Sequence, residues 1–191
     1  MARKASTEPA APKKRREPPA EATVPEPIAR PEPGDYLALI SRAIFQAGLS
    51  WAIIESKWPA YLELFEGFDP RIVAAFDETD VDRLLADGRI VRTRKKILGT
   101  VANARALLEL ESAEGGFAAY LRSFESYPAL ETALRERFAF LGRLSVYYLL
   151  FLTQHPVPRF EAWETTIDGD HPRMRAMVAR GRALGRSSEL P

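Results

Sequence analysis

The chain has 191 residues, enough for one domain of ordinary size with a sizeable hydrophobic core. Apolar residues make up 46% of it, but no apolar run is long enough to cross a bilayer, and the absence of cysteine excludes disulfides and thiolate chemistry. The formal net charge is +1, so a nucleic-acid surface would have to arise from where the 27 Lys and Arg residues lie.

Residues 1–34 differ in composition from the rest of the chain. They are rich in proline, alanine and charged residues, with a basic run at Lys13-Lys14-Arg15-Arg16. Such a segment cannot bury enough apolar surface to offset its chain entropy, so we predict a disordered tail. The basic run either reaches along phosphates or only solvates the tail. No secretion signal precedes the folded part, and we expect a cytoplasmic protein without membrane contact.

From Asp35 onward the apolar spacing is helical. Asp35 is predicted to be the N-cap of a first helix, which Gly48 ends by adopting a left-handed conformation. Ser50 is predicted to cap a second helix that opens at Trp51, and Pro59 should kink or restart that helix. The buried side of the first helix includes Leu37, Ile40 and Ile44.

The remaining pattern is also helical, with no convincing strand and no internal repeat. The sequence therefore predicts an all-α orthogonal bundle. We expect a helical domain over residues 35–165 and a basic, partly helical C-terminal tail over residues 166–191. Further helices are predicted from Asp69-Pro70, from about Thr79 to Gly88, and over about 93–111, 117–124, 130–137, the region of Tyr148, and 172–184.

The corner between the first two helices carries a family likeness. A Gly-Leu-Ser-Trp turn at this place has no obvious packing necessity, and the likeness continues almost without a gap over residues 35–125. The chain resembles the 3-methyladenine DNA glycosylase I family, within the helix-hairpin-helix glycosylase superfamily. The matching runs are Gln46-Ala47-Gly48-Leu49-Ser50-Trp51, Phe68-Asp69-Pro70, Asp80-Val81-Asp82-Arg83-Leu84, Ile90-Val91-Arg92-Thr93-Arg94-Lys95-Lys96-Ile97 and Asn103-Ala104-Arg105-Ala106.

The resemblance implies a base-binding pocket at this corner. Trp51 stands at the position of the tryptophan that stacks on the extruded base, with Gln46 and Ser50 beside it. A purine methylated on a ring nitrogen is cationic, and a ring face attracts a cation by roughly 0.5 to 2 kcal/mol. Without the resemblance, Trp51 is better explained as a residue packed in the core against the first helix.

The resemblance also implies a hairpin that contacts DNA. Residues 138–145 are similar to the family pattern Phe-x-Phe-Val-Gly-Thr, which places Gly142 and Arg143 at a turn that presents backbone N–H groups to a phosphate. Arg137 stands where the family commonly has a second glycine, so we expect an altered hairpin. Considered alone, Gly142 is a turn glycine.

Basic residues gather at the start of the longest predicted helix. Arg92, Arg94 and Lys95 are candidate phosphate contacts, and the alternative is a solvated helix end. Positive charge near a helix N-terminus opposes the macrodipole, which favours a functional reason for the cluster.

The chain departs from the family pattern at the site of chemistry. The family glutamate, in Leu-Glu-x-x-Gln-Ala-Gly-Leu-Ser-Trp, is replaced by Ala43, so the catalytic residue is unknown. Three other carboxylates are candidates to reach the pocket: Glu55, Asp87 and Glu136. The aromatic N-terminal elements and the zinc site of the family are missing. His155 and His171 are the only histidines and are not spaced as a ligand pair, so we expect neither metal nor cofactor.

Three functional readings follow. The first is a monofunctional, monomeric glycosylase that hydrolyses the N-glycosidic bond of alkylated purines such as 3-methyladenine in double-stranded DNA. The second is a catalytically inactive DNA-binding or damage-sensing protein that retains the fold. The third is an interaction protein that binds a peptide in the groove at Trp51.

Overall fold

A computed structural model describes residues 24–190 of the protein. Within that range the chain folds into α-helices joined by short turns, and the only β-type pairing is an isolated bridge between Val157 and Glu189. The all-α prediction is confirmed. The disordered tail predicted for residues 1–34 falls mostly on residues 1–23, which lie outside the described residues. No helix within residues 24–190 is both long and apolar enough to span a bilayer.

The helices follow one another with connections of a few residues. Their bounds are α1 Pro33–Gln46, α2 Trp51–Leu64, α3 Pro70–Ala74, α4 Glu78–Ala86, α5 Arg94–Glu114, α6 Phe117–Arg122, α7 Tyr127–Arg137, α8 Arg143–Leu152, α9 Phe160–Glu164 and α10 Pro172–Ala183, with a 3-10 turn at Glu66–Phe68.

The first helix begins earlier than the sequence predicts. The prediction that Asp35 is its N-cap is wrong: Glu32 is the N-cap, Pro33 is the first helical residue, and the Asp35 carboxylate accepts a hydrogen bond from the Glu32 N–H at 2.8 Å. Proline is favoured at the first helical position because its missing N–H needs no partner there. Pro59 does not restart α2, which runs as one helix through it.

The core forms around α8 and α1. Every side chain from Val146 to Leu152 is buried, which agrees with the prediction of a buried helix in this region. Helix α1 packs against α8 on one side and α5 on another, and α5 also contacts α3, α4 and α6. Both the end of α1 and the start of α8 therefore lie next to the corner that leads into α2.

Both ends of the described chain pack onto the C-terminal end of α8. The N–H of Ile28 donates to the carbonyl oxygen of Leu152 at 2.7 Å, and Pro27 is buried. From the other end, α10 buries Met174, Met177 and Val178. Gly181 lies so close to Phe151 that a Cβ there would come within 2.5 Å of the ring. The division of the chain at residues 35 and 166 stays a prediction, but both flanking segments contact the bundle.

Candidate functional site

A cleft of about 500 Å³ opens beside Trp51, at the corner between α1 and α2. Its walls come from three parts of the chain: the end of α1 with the following turn, the first half of α8, and the segment leading into α10. The lining residues are Ala43, Gln46, Ala47, Gly48, Leu49, Trp51, Leu144, Ser145, Tyr148, Asp170, His171, Arg173 and Met174. A volume of this size is in the usual range for small-ligand pockets.

Trp51 takes part in both the core and the cleft. It is the first residue of α2 and is half-buried, and its ring meets that of Tyr148 edge to face, with 5.7 Å between centroids. Gly48 has a φ of 78°, the left-handed conformation that turns the chain from α1 towards α2. The two sequence readings of Trp51 are therefore compatible, since one side of the ring packs while the residue still lines the cleft.

The two polar neighbours of Trp51 are placed differently. Gln46 is almost fully buried and lines the cleft. Ser50 occupies the N-cap position of α2, but its side chain makes no capping hydrogen bond and is not part of the cleft wall. The base-binding role predicted for both residues stays a prediction.

The residue at the position of the family glutamate is Ala43, which places no charge in the cleft. Ala43 lines the wall and is 7% exposed. Of the three carboxylates considered from the sequence, Glu55 comes near: its Oε1 accepts a hydrogen bond from Gln46 Nε2 at 3.2 Å. Asp87 is held by hydrogen bonds from Arg89, which lower its pKa. Glu136 is exposed on α7 and does not line the cleft.

The carboxylate that does line the cleft is Asp170, in the segment before α10. It forms an ion pair with Arg175, and that contact lowers its pKa, so the group is ionised at neutral pH. Arg175 also donates to Glu164 at 2.6 Å, which braces the segment against α9. Sequence reasoning missed Asp170, His171 and Arg173 as cleft residues because only tertiary folding brings them to Trp51.

The predicted hairpin lies between α7 and α8. Asn103 of α5 makes two hydrogen bonds to the backbone of Ala139 in this turn. Phe140 has a φ of 60° and is 54% exposed. Gly142 is the N-cap of α8, and a Cβ built on it would meet no atom within 4 Å, so the turn presents an open surface there.

The candidate phosphate contacts fall into two groups. Arg143 is held by Glu131 at 2.6 Å and by the Thr166 carbonyl oxygen at 2.6 Å, and Arg94 pairs with Glu78 and Asp82. In contrast, Arg92 and Lys95 are exposed and form no ion pair within residues 24–190. The phosphate role assigned to all of these residues, Gly142 included, stays a prediction.

The start of α5 connects the hairpin to the cleft. The Lys96 ammonium donates to the carbonyl oxygen of Ala47 at 2.8 Å, at the C-terminal end of α1, where a positive charge is favourable. One turn later, the Phe140 ring lies against Gly99, where a Cβ would approach it within 2.7 Å. The cleft corner and the hairpin therefore both contact the first turns of α5, which also carry the exposed Arg92 and Lys95 at their start.

Within residues 24–190 no three His, Asp or Glu side chains converge on a point where they could hold an ion. The expectation that the protein needs no zinc stays a prediction.

The chain is similar in sequence to two curated relatives. It is 43% identical to DNA-3-methyladenine glycosylase 1 of Escherichia coli over 82 residues, which are 43% of this chain and 44% of that protein. It is 30% identical to DNA-3-methyladenine glycosylase of Haemophilus influenzae over 123 residues, covering 53% of this chain and 66% of that protein. The matches thus span between two fifths and two thirds of these relatives' length.

Solved structures match over more of the chain. A crystal structure of 3-methyladenine DNA glycosylase I superposes with a TM-score of 0.58 and 31% identity, covering 65% of this chain and 79% of that one. The Staphylococcus aureus 3-methyladenine DNA glycosylase I, solved to explain recognition of 3-methyladenine, gives a TM-score of 0.59 and 28% identity over 69% and 80% of the two chains. The family model described as methyladenine glycosylase matches residues 34–148, which include the cleft corner and the hairpin. The chain therefore belongs to the methyladenine glycosylase family.

Proposed function

We propose that the protein is a monofunctional DNA glycosylase of base-excision repair that hydrolyses the N-glycosidic bond of alkylated purines such as 3-methyladenine. The observation that carries the proposal is the cleft at Trp51, which adjoins a hairpin and an exposed basic turn. An enzyme that acts on a base in duplex DNA must extrude the base into such a pocket, while the surrounding surface holds the backbone.

To catalyse this reaction the cleft needs mainly to bind the base and to stabilise positive charge. In the substrate the alkylated base is already cationic, so the glycosidic bond breaks with its electron pair moving to the base. Water then adds to the sugar carbon and loses a proton to the solvent. Trp51 supplies a ring face for the cationic base. The ionised carboxylate of Asp170 lies at the rim, where it is paired with Arg175, and its negative charge would favour both the cationic base and the positive charge developing on the sugar.

The cleft wall supports a monofunctional enzyme. A glycosylase that also cleaves the strand uses an amine nucleophile to form a Schiff base. The lining residues, all within the described part of the chain, include no lysine. The product of this activity is therefore an abasic site and a free base.

The proposal includes a monomer that acts on double-stranded DNA in the cytoplasm. The N-terminal end of α8 at Gly142 offers backbone N–H groups to a phosphate, and Arg92 and Lys95 offer charges that are not neutralised by ion pairs within residues 24–190. Arg94 and Arg143 would have to exchange their present carboxylate partners for phosphates.

One observation favours a second candidate function. Ala43 lines the cleft where the family pattern has a glutamate, so the cleft has lost one polar contact to a base. A protein that binds damaged DNA without excising the base would retain Trp51 and the hairpin and dispense with that carboxylate.

Release of free base from randomly methylated duplex DNA tests the proposal. The full chain should release methylated purines, and Trp51→Ala should slow release by about fivefold to thirtyfold, since a lost cation–π contact costs roughly 1 to 2 kcal/mol in a desolvated site. Trp51→Phe, which keeps a ring face, should lose less, and Ile72→Ala, an exposed change on α3, should behave as wild type. Preferential binding of methylated DNA with no base released would instead establish the damage-sensing alternative.

A further inference from the structure

Gln46 and Glu55 form a hydrogen-bonded pair at the wall of the cleft, close to the position that Ala43 leaves without a polar group. We propose that Glu55 is a positioning residue that holds the Gln46 amide with its oxygen towards the cleft, so that Gln46 selects purines that carry an exocyclic amino group. The inference rests on the proposed function and names the residue that determines specificity in the same cleft.

The direction of the Gln46 amide follows from hydrogen-bond chemistry. An ionised carboxylate only accepts hydrogen bonds, so the side-chain group that faces Glu55 must be the NH2 end. Gln46 Nε2 lies 3.2 Å from Glu55 Oε1. The amide oxygen is thereby turned away from Glu55, and no group within residues 24–190 donates to it. Because Gln46 lines the cleft, this oxygen is an acceptor available to a bound base.

Glu55 is itself held in place from the first helix. Arg42 Nε lies 3.4 Å from the same Oε1, and the Arg42 guanidinium stacks over the Trp58 ring at 4.2 Å from its centroid. Both partners are largely buried, with side-chain exposures of 15% for Arg42 and 25% for Glu55. Burial is the largest influence and raises the pKa of Glu55 above its ordinary value, and Arg42 and the hydrogen bond from Gln46 offset part of that rise. Arg42 thus favours the ionised form that fixes the amide.

The pair also lies at the right place on the helix. Glu55 follows Trp51 by four residues on α2, so both side chains lie on the same side of that helix. The Tyr148 ring packs on Trp51, and its hydroxyl makes no hydrogen bond of ordinary geometry, although Arg42 and Glu55 are close enough to influence its pKa. Trp51, Gln46 and Tyr148 therefore form one wall, with Glu55 behind it.

An oriented acceptor discriminates between two purines of the same shape. A 6-amino purine can donate to the Gln46 oxygen, whereas a carbonyl group at that place would set two acceptors against each other. Leaving a buried acceptor unsatisfied costs about 1 to 3 kcal/mol, so the preference should be at least about fivefold.

Calorimetric binding of free bases to the full chain tests the inference. The probes are 3-methyladenine and 3-methylhypoxanthine, in which a carbonyl oxygen replaces the amino group. Wild type should prefer 3-methyladenine by about fivefold or more. In Glu55→Leu the amide can rotate and offer its NH2 group, so the preference should fall to about twofold or less.

Two further variants separate positioning from folding. Arg42→Met combined with Glu55→Leu removes the buried ion pair as a unit, which costs less stability than breaking it, and it should still lack the preference. Glu63→Leu removes an exposed carboxylate from the same helix, where it pairs with Arg89, and it should keep the full preference.

The inference and the proposed function fail in different ways. The inference is overturned if wild type binds neither base or binds both with equal affinity. It is also overturned if Glu55→Leu lowers the affinity for both bases alike and the Arg42→Met/Glu55→Leu variant restores both affinities. Base release from methylated DNA is a separate measurement. A wild-type chain that prefers 3-methyladenine but excises nothing would refute the glycosylase activity and leave the Gln46 selection standing.

Discussion

The side chain of Asn103 clamps the backbone of Ala139. Its Nδ2 donates to the Ala139 carbonyl oxygen at 3.2 Å, and its Oδ1 accepts from the Ala139 N–H at 2.7 Å. Asn103 is in the middle of α5 and is 1% exposed, so both bonds are shielded from water. This clamp fixes the turn between α7 and α8 against the helix that carries the basic residues.

Removing the clamp should therefore affect both stability and DNA binding. In Asn103→Ala the two Ala139 groups lose their partner, and an unsatisfied buried polar group costs about 1 to 3 kcal/mol. We expect the free energy of unfolding to fall by roughly that amount, and duplex affinity at a temperature where the variant is folded to fall as well. Denaturant unfolding and duplex titration measure the two effects.

Ser112→Ala provides the matched control for the clamp. Ser112 is an exposed residue of the same helix whose hydroxyl bonds only the carbonyl oxygen of Leu108 at 3.1 Å. It should change neither quantity appreciably. A stable Asn103→Ala protein with wild-type DNA affinity would show that the position of the turn does not matter for binding.

The local features of the cleft corner could be predicted from the sequence because they depend on neighbouring residues. Gly48 turns the chain and Trp51 opens the next helix, as the order of residue types indicates. The start of α1 was predicted wrongly, because a carboxylate such as that of Asp35 serves equally well as an N-cap and inside the first turn of a helix that begins at Pro33.

Contacts between distant segments could not be predicted in this way. No spacing in the sequence indicates that Asp170 and His171 line a cleft with Trp51, or that Glu131 and Thr166 hold Arg143. Carboxylates that fold close to a basic cluster determine which of its cations remain free to contact a phosphate. Arg94, for example, is paired with Asp82 at 3.0 Å. The resemblance covered the corner and the hairpin, but the segment before α10 lies beyond it.

The two exposed cations at the start of α5 should dominate the salt dependence of DNA binding. Changing Arg92 and Lys95 together to alanine should flatten the slope of log affinity against log salt by about 1.8, since each phosphate contact contributes about 0.9. Arg94→Ala should change the slope by less than about half of one contact, because Arg94 is engaged by Glu78 and Asp82. Duplex titrations between about 50 and 200 mM salt measure both slopes.

An unchanged slope in the Arg92/Lys95 double variant would remove the electrostatic support for DNA binding at this surface. The peptide-groove reading of the Trp51 cleft would then gain ground. A larger effect from Arg94→Ala than from the double variant would show instead that Arg94 leaves its carboxylates for the DNA.

Truncation should distinguish the contributions of residues 1–23 and 24–34 to stability. Deleting residues 1–34 removes the Ile28 bond to Leu152, the buried Pro27, and the first residues of α1 with their cap. We expect the melting temperature to fall by more than about 5 °C, which corresponds to on the order of 1 kcal/mol or more in a domain of this size.

Deleting only residues 1–23 is the matched control for this truncation, and by composition it should leave the melting temperature within about 2 °C of wild type. Equal melting temperatures for both truncations would show that residues 24–34 add nothing to stability. The folded domain would then begin at residue 35, as the sequence composition predicts.

The contact between α9 and α10 should weaken in acid. Arg182 donates to both oxygens of Glu161, at 2.7 and 2.9 Å, and to both oxygens of Glu189. The hydrogen bonds from Arg182 lower the pKa of Glu161 from 4.5 to about 2. Because the folded-state pKa is depressed, the stability it contributes is present above pH 4.5 and is lost as the pH falls towards about 2.

Glu161→Gln should therefore lower the melting temperature at neutral pH and flatten its decline between about pH 5 and pH 2. The effect should be modest and should shrink in high salt, because Glu161 is 59% exposed and the pair is screened by solvent. Glu114→Gln, a change at the end of α5 that disturbs no ion pair within residues 24–190, should leave the acid decline as in wild type. If Glu161→Gln and wild type lost stability along the same curve, Arg182 would not be what anchors α10 to α9.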